Sequence, residues 1–479
     1  MKLVDDFKIS NNKLVNILTY LLIASVILIP FDNLPYLGRI LGELSYKGAV
    51  YPFIFIIIIL FAITIKSKKI YFKKSKEIYF LLVYIGWIII SLIFNISSIL
   101  NNTLKERSGI SKLILQLMVL GFMLLIFYST DIIIKLKTIT LFDLRKYILL
   151  SLIPVLIYGT IELLNLSGII NFSKFIEKVS YLIQSYHRGT VYTKGIRTVT
   201  GEVSYFAMYV SFILPWIASY IFTEKKKKNK IFYSALTGYI ILLLVFSKSR
   251  TAYGIMFIQL ALFSIFMLVS RINLMNKLII IRAIGISIVM FLILNVTLLP
   301  KIGGDSNSMT KLSVKSLVSS LTDPNNMSNV ARLGLQESAM KIGKSNPIVG
   351  VGIGQYGFYA PKYLSEKALT SHEVQYWIDP KIKDSWPPAF SLYPRILAEQ
   401  GFMGIMLWVV FLGYTLIKAI RVLRRKYNDV IGIALIVSFI GILISWFNAD
   451  SFGQVQFWIL LPFIINYNNE LIGKSYNYE

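Results

Sequence analysis

The stretch AVYPFIFIIIILFAITI at residues 49–65 decides the fold, because it contains no charged side chain. A run of this length and composition can cross the hydrocarbon core of a bilayer as a helix. The segment that follows, KSKKIYFKKSK at residues 66–76, is rich in lysine. Lysine-rich connections stay on the cytoplasmic side of a membrane. The stretch therefore predicts both a membrane span and its direction.

The same pattern recurs along the whole chain of 479 residues, 56% of which are hydrophobic. It predicts an all-α polytopic membrane protein with about twelve transmembrane helices. The predicted spans are Leu14–Pro30, Ala49–Ile65, Ile78–Asn95, Ile110–Tyr128, Tyr147–Leu164, Val203–Phe222, Ile231–Phe246, Thr251–Ser270, Leu278–Pro300, Phe390–Ile417, Val430–Asn448 and Gln454–Ile465.

Lysine and arginine occupy every second connection between these spans, together with the N-terminus. This alternation predicts a protein of the cytoplasmic (inner) membrane with both termini in the cytoplasm. The net charge of +26 then reflects topology and contact with anionic lipid head groups in the bilayer, and we expect no nucleic acid partner. The basic connections are Lys66–Lys76, Lys135–Lys146, Glu224–Lys230, Arg271–Arg282 and Lys418–Lys426.

The predicted topology divides the chain into five parts. Residues 1–164 form spans 1–5, 165–202 a first long extracytoplasmic loop, and 203–300 spans 6–9. Residues 301–389 form a large extracytoplasmic loop, and 390–479 form spans 10–12 with a cytoplasmic tail. Loops of this length are usually functional or disordered. The mixed periodicity of Val330–Lys344 and Tyr356–Ala368 predicts short helices and a folded cap.

Thiol chemistry and histidine-rich metal sites are excluded by composition. The chain has no cysteine and only two histidines, His187 and His372. Disulfides, thiolate sites, a cysteine nucleophile and a multi-histidine metal centre are therefore ruled out. We expect neither a metal nor a cofactor.

Ionisable residues collect on the predicted outer side of the bundle. Charged groups near hydrocarbon are costly and usually meet a partner, a cavity or a substrate. Four arginines on one side predict an anionic ligand, for which a lipid diphosphate is the natural candidate. The groups are Arg197 with Glu202, Arg250, Arg332 with Glu337, and Arg395 with Glu399.

Two of these groups lie at predicted helix starts. In RTVTGEVSYFA at 197–207, free N–H groups at a helix start suit phosphate oxygens, and Ser204 lies in the first turn. The alternative is that Arg197 reaches lipid head groups while Glu202 pairs with it. In SKSRT at 247–251, Lys248 and Arg250 are held at the membrane surface. An anionic-lipid anchor is the alternative there.

The other two groups flank the large loop. Arg332 and Glu337 precede the glycine-rich NPIVGVGIG at 346–354, which is best interpreted as a tight turn. In SLYPRILAEQG at 391–401, the i,i+4 spacing places Arg395 and Glu399 on one helix face. This pair is either a structural ion pair or part of a site, with Tyr393 beside it.

In this order the motifs resemble the Wzy-type O-antigen polymerase and O-antigen ligase superfamily, from about Arg197 to the end. The matching parts are Arg197 with Gly-Glu-x-Ser, Ser249-Arg250-Thr, Arg332 followed by Asn-Pro-Ile-Val-Gly-Val-Gly, and Leu-Ala-Glu399-x-Gly-x-x-Gly. The resemblance implies a metal-independent glycosyltransferase of the GT-C type that uses an undecaprenyl-diphosphate-linked oligosaccharide. It also implies that Arg197, Arg250, Arg332 and Arg395 bind the diphosphate, supported by Lys248, Ser204, Tyr393 and Glu337.

One departure from the family concerns the general base. Relatives carry His-Asn where this chain has Phe390 and Ser391, and the histidine is their presumed base. The remaining candidates are His372, Glu202 and Glu399. An arginine-rich site lowers the pKa of a carboxylate, which favours His372.

The sequence therefore predicts a polymerase that joins lipid-linked repeat units into O-antigen, capsule or exopolysaccharide outside the membrane. A chain-length regulator and a flippase would be its partners. A ligase that moves a finished glycan to another acceptor is the first alternative, although the missing histidine argues against it. A lipid-linked oligosaccharide flippase or transporter is the second, but the chain lacks the internal repeats and short outer loops expected of one.

Overall fold

The computed structural model describes residues 12–38, 42–68, 71, 73–279, 282 and 326–469, almost entirely as helices. The first nine α-helices are α1 (Asn12–Ile27), α2 (Val50–Ser67), α3 (Lys76–Asn101), α4 (Gly109–Lys137), α5 (Leu141–Leu166), α6 (Ser173–Ile183), α7 (Val203–Thr223), α8 (Lys227–Phe246) and α9 (Arg250–Val269). After residue 326 come α10 (Met327–Ser345), α11 (Tyr356–Tyr363), α12 (Glu366–Leu369), α13 (His372–Ile378), α14 (Leu392–Arg425), α15 (Val430–Ser445) and α16 (Val455–Asn468). A 3₁₀ turn (Gly42–Tyr46) and an antiparallel pair, β1 (Thr103–Leu104) with β2 (Arg107–Ser108), complete the described elements.

Eight of the described helices are long and apolar enough to cross a membrane, namely α2, α3, α4, α5, α7, α8, α9 and α14. The prediction of an all-α polytopic membrane protein is therefore confirmed. Helices α1 and α15 are apolar but shorter, and α16 has 14 residues. The predicted span Leu278–Pro300 lies almost wholly outside the described residues. The count of twelve spans stays a prediction.

Helix α7 forms the centre of the bundle. Of its most apolar 18-residue window, 94% is buried inside the protein. A helix that is hydrophobic on all sides is stable when neighbouring helices, rather than water, surround it. Ser438 of α15 donates a hydrogen bond to the carbonyl of Phe212 at 2.6 Å, which binds this neighbour to α7. The residues just before Val203 therefore lie in the middle of one end of the bundle.

Connections predicted to lie on the same side of the membrane contact one another. At one end, Lys73 pairs with Asp131 at 2.7 Å, which joins two predicted cytoplasmic connections. At the other end, Lys105 donates to the Ser385 hydroxyl at 2.6 Å and so joins the β1–β2 hairpin to the large loop. We call this second end, which carries residues 165–202 and 326–389, the loop end.

Helix α14 is broken at Gly401, close to its buried Glu399. Gly401 has φ +71°, outside the helical region. Backbone groups within a membrane protein need internal partners, and the carbonyls of residues 398–400 find them outside their own helix. They accept hydrogen bonds from the N–H groups of Val351 (3.0 Å) and Gly352 (2.8 Å) and from Trp87 Nε1 (2.9 Å). The glycine-rich turn predicted at 346–354 therefore braces the break.

Substituting Gly401 with alanine is expected to destabilise the protein. The new Cβ would lie 2.1 Å from the Ile348 carbonyl oxygen, and alanine is strained at this positive φ. Strain of this kind costs about 1–3 kcal/mol, so the midpoint of thermal unfolding in detergent should fall.

The matched control is Gly413→Ala in the same helix, where no heavy atom lies within 4 Å of the added Cβ. This variant should equal or slightly exceed the wild type in thermal stability, since alanine favours a helix. Equal stability of the Gly401 and Gly413 variants would argue against the break in α14.

Candidate active site

Arg197 lies at the loop end and is completely buried, with 0% of its side chain exposed. Its main partner is Glu162, near the end of α5. One carboxylate oxygen accepts the backbone N–H groups of Arg197 (3.1 Å) and Thr198 (2.7 Å). The other lies 4.0 Å from the Arg197 Nε. The sequence-based pairing of Arg197 with Glu202 is therefore wrong, because the carboxylate that reaches Arg197 lies in the apolar sequence of α5.

The guanidinium of Arg197 is only partly engaged. Nη1 donates to the carbonyl of Gly201 at 3.3 Å, and the group lies 4.8 Å from the centre of the Tyr192 ring. Nη2 is buried and has no hydrogen-bond partner among the described residues. A buried charged donor without a partner is costly. This donor can therefore bind an anionic oxygen at little further desolvation cost.

The Arg197 segment packs against the turn that joins α8 and α9. The N–H of Ile196 donates to the carbonyl of Phe246 at 3.1 Å. A Cβ on Gly195 would lie 2.2 Å from the Ser247 carbonyl oxygen, so this approach needs glycine. The two segments that carry Arg197 and Arg250 are therefore in direct backbone contact.

The turn itself belongs to the predicted SKSRT motif. Lys248 is half-buried with φ +54°, and the Ser249 hydroxyl caps α9 by accepting the N–H of Ala252 at 3.4 Å. Arg250 is the first residue of α9, and its side chain lies outside the described part of the structure. The predicted roles of Lys248 and Arg250 in diphosphate binding stay predictions.

Glu202 is exposed at the start of α7 and accepts a hydrogen bond from the Ser204 hydroxyl at 3.4 Å. Its neighbour Gly201 donates its N–H to Asp32 Oδ1 at 2.7 Å. Asp32 belongs to the connection between α1 and α2, far away in sequence. The sequence analysis missed it because a single loop aspartate has no local signature.

Arg395 and Glu399 form the predicted ion pair, at 3.1 Å. Glu399 is 2% exposed, and its Oε1 also accepts the N–H of Tyr356 at 3.3 Å. Arg395 Nη1 donates to the carbonyl of Asp450 at 2.6 Å. The pair therefore links α14 to α11 and to the connection between α15 and α16. These contacts give both residues a structural role, and Glu399 is engaged by its arginine.

Arg332 and Glu337 do not pair with each other. Glu337 lies 2.9 Å from Lys341 instead, and the Arg332 guanidinium lies 5.2 Å from the centre of the Phe390 ring. Residues i and i+5 do not face each other on a helix, whereas i and i+4 do. The predicted roles of Arg332 and Glu337 in the site stay predictions.

Phe390, where the resemblance implies a histidine in relatives, has φ +53°. Arg332 lies on one side of it, and the ring of Trp377 packs edge-on with its centre 5.2 Å away. Nearby, the Tyr393 hydroxyl donates to the Leu443 carbonyl at 2.8 Å, which anchors α14 to α15.

His372 is exposed at the start of α13 and lines an open surface pocket with Tyr376 and Asp379. Val374 of the same helix packs against Leu335 of α10. No contact within the described part of the chain joins His372 to the four predicted arginines. The structure thus brings the Arg197 segment to the Arg250 segment, and it leaves His372 at the surface.

His372→Ala is expected to leave polymer length unchanged, since the histidine is exposed and makes no contact with the arginine segments within the described residues. The measurement is the polysaccharide ladder on a gel from cells that carry the variant. Loss of long chains with normal protein abundance would restore His372 as a candidate base.

The comparisons with known proteins agree with the motifs. Residues 235–409 match the family model described as O-antigen ligase. The matched range includes the SKSRT turn, Arg332, the glycine-rich turn and the Arg395–Glu399 pair, and it begins after Arg197. A search of curated proteins found no match. The match confirms the predicted resemblance to the O-antigen polymerase and ligase superfamily.

Proposed function

We propose that this multi-pass membrane protein, whose residues 235–409 match the family model described as O-antigen ligase, is a polysaccharide polymerase. It joins undecaprenyl-diphosphate-linked repeat units into a surface polysaccharide at the outer face of the cytoplasmic membrane. The observation that carries the proposal is the buried Arg197, whose Nη2 has no partner among the described residues.

The chemistry of the donor explains why a buried arginine matters. When the bond between the anomeric carbon and the diphosphate oxygen breaks, negative charge develops on the diphosphate. A donor that is already fixed and desolvated stabilises this charge more in the transition state than in the ground state. Arg197 is held by Glu162 and Gly201, so its guanidinium is already oriented. Arg250 would add a second cation from the adjoining turn.

Three features support sugar transfer at the loop end. The segments of Arg197 and Arg250 meet there, and the large loop contributes α10–α13 to the same end. The Arg395–Glu399 pair fixes the start of α14 to the same end. A diphosphate held near the membrane surface by Arg197 would keep its polyprenyl chain in the bilayer and present its sugar to the folded loop. This arrangement supports an active site outside the cytoplasm, as the positive-inside pattern predicts.

Phe390 supports a polymerase rather than a ligase. Its ring contacts Arg332 and Trp377, and it cannot accept a proton at the position where the resemblance implies a histidine base. A ligase remains the second candidate, because the matched family model carries that description.

The test compares the lipid-linked intermediates of cells that have or lack this chain. A polymerase predicts that cells without it accumulate single lipid-linked repeat units on the outer leaflet. A ligase predicts that such cells accumulate long lipid-linked polymers instead. Accumulation of single units on the cytoplasmic leaflet would contradict both and indicate a flippase.

A further inference from the structure

The connection between α1 and α2 reaches the start of α7 and contributes a carboxylate there. Asp32 Oδ1 accepts the Gly201 N–H at 2.7 Å. The carbonyl of the same Gly201 accepts Nη1 of Arg197 at 3.3 Å. The backbone of Gly201 therefore contacts both the Asp32 carboxylate and Arg197, the residue proposed to bind the diphosphate.

This position of Asp32 is fixed by its neighbours. A Cβ on Gly201 would lie 2.8 Å from the Cβ of Asn33, so the Gly201 backbone packs directly against the Asn33 side chain. Asn33 donates to Gln184 at 2.8 Å, and Gln184 donates to the carbonyl of Thr200 at 3.0 Å. These buried hydrogen bonds join three separate segments and hold Asp32 beside Gly201.

One oxygen of Asp32 remains available. Oδ1 accepts the Gly201 N–H, no other residue in the described part of the chain donates a hydrogen bond to Oδ2, and Asp32 is half-buried. This carboxylate differs from Glu399, which is buried and paired with Arg395. Oδ2 of Asp32 can therefore accept a hydrogen bond from a substrate hydroxyl.

Two exposed tyrosines flank the carboxylate. Tyr186 is 59% exposed, and its backbone N–H lies 3.5 Å from the Asn33 side-chain oxygen. Tyr205, on the first turn of α7, is 40% exposed and interacts electrostatically with Asp32 and Glu202. Tyrosine combines an apolar ring face with a hydroxyl, which suits the faces and hydroxyl groups of a sugar.

We propose that Asp32 is the general base of the transfer reaction and that Tyr186 and Tyr205 border the subsite for the acceptor sugar. This inference rests on the proposed glycosyl transfer. It assigns the general base to a residue other than the three candidates that the sequence offered, His372, Glu202 and Glu399.

The step balances as follows. The acceptor hydroxyl gives its proton to Asp32 Oδ2 while its oxygen forms a bond to the anomeric carbon of the donor. The bond from that carbon to the diphosphate oxygen breaks, and its electron pair leaves with the undecaprenyl diphosphate beside Arg197. Asp32 then releases the proton to water. No oxidant, metal or further reactant is needed.

The surroundings of Asp32 favour proton transfer to its carboxylate near neutral pH. Burial raises the pKa of Asp32 from 3.8 to about 7, against the lowering effects of the Gly201 N–H and the Lys47 charge, while the Glu202 charge raises it further. A base works best when its pKa lies near the operating pH. Because the ionised form accepts the proton, activity should fall below about pH 7 and reach a plateau above it.

The test uses purified full-length protein in lipid nanodiscs. The substrate is the lipid-linked repeat unit extracted from cells in which the gene for this chain is deleted. Asp32→Asn keeps an oxygen for the Gly201 N–H but cannot take a proton. We expect about a 10²-fold loss of elongation rate and loss of the acidic limb of the pH profile.

A second variant keeps the inference testable if Asp32→Asn folds poorly. Lys47→Gln removes a charge that lowers the pKa of Asp32, so the acidic limb should move to higher pH while the plateau rate is kept. An Asp32→Asn enzyme with wild-type rate, or with its acidic limb intact, would overturn the assignment, as would an unmoved limb in Lys47→Gln. If the wild type elongates normally in that case, only the base assignment fails. If the wild type does not elongate at all, the proposed function fails.

Discussion

Replacing Arg197 with alanine is expected to stop chain elongation, with single lipid-linked repeat units accumulating on the outer leaflet. The variant removes the one guanidinium that is both fully buried and left with a free donor among the described residues. Loss of a single preorganised donor to a developing oxyanion lowers the rate about 10²–10³-fold. Arg197→Ala also removes a full positive charge, so we expect a rate loss at the upper end of this range. The measurement combines mass spectrometry of the lipid-linked units with the polysaccharide ladder.

Arg188→Ala is the matched control, because Arg188 belongs to the same loop but is exposed. Its guanidinium lies 4.0 Å from the Tyr181 ring centre, and its Nε donates to the Tyr181 carbonyl. This variant should elongate chains normally.

Arg197→Lys should retain part of the activity, since lysine keeps the charge but loses the planar fork. Normal polysaccharide chain length in cells that carry Arg197→Ala would contradict the proposed role of Arg197 in binding the diphosphate.

Replacing Glu162 with alanine is expected to destabilise the protein and abolish its activity. Glu162 accepts two backbone N–H groups and balances the charge of Arg197, and both side chains are buried. Removal of one partner from a buried ion pair costs about 3–5 kcal/mol, because the remaining charge is left uncompensated. The midpoint of thermal unfolding in detergent measures this loss.

A double variant separates stability from chemistry. Glu162→Ala with Arg197→Met removes both charges, so it should recover part of the lost stability and none of the elongation. Glu177→Ala, at an exposed position of α6, is the control and should unfold as the wild type does. A double variant no more stable than Glu162→Ala would show that the two residues do not depend on each other.

Local sequence rules predicted those features that depend on local spacing. Apolar runs such as residues 49–65 predicted the spanning helices, because the bilayer allows few alternatives. The i,i+4 spacing predicted the Arg395–Glu399 pair for the same local reason. The same spacing rule places Glu337 and Lys341 on one helix face, where they form an ion pair, and places Arg332 on another face.

Features that depend on tertiary contact escaped the sequence. Glu162 meets Arg197 across 35 positions, and its only local signal was a lone carboxylate within the apolar sequence of α5. Asp32 reaches Gly201 across 169 positions. The break at Gly401 requires the turn at 346–354 to supply new hydrogen-bond partners, which no helical pattern reveals. The site therefore needed the fold before its members could be identified.

The most direct test of the proposed function is a reaction with one substrate and one protein. Wild-type protein in nanodiscs is incubated with lipid-linked single repeat units, and the products are separated by mass. The polymerase account predicts a ladder of two, three and more units with release of undecaprenyl diphosphate, and unreacted single units with Arg197→Ala. Single units that remain unjoined by the wild type, or a ladder from Arg197→Ala equal to that of the wild type, would contradict it.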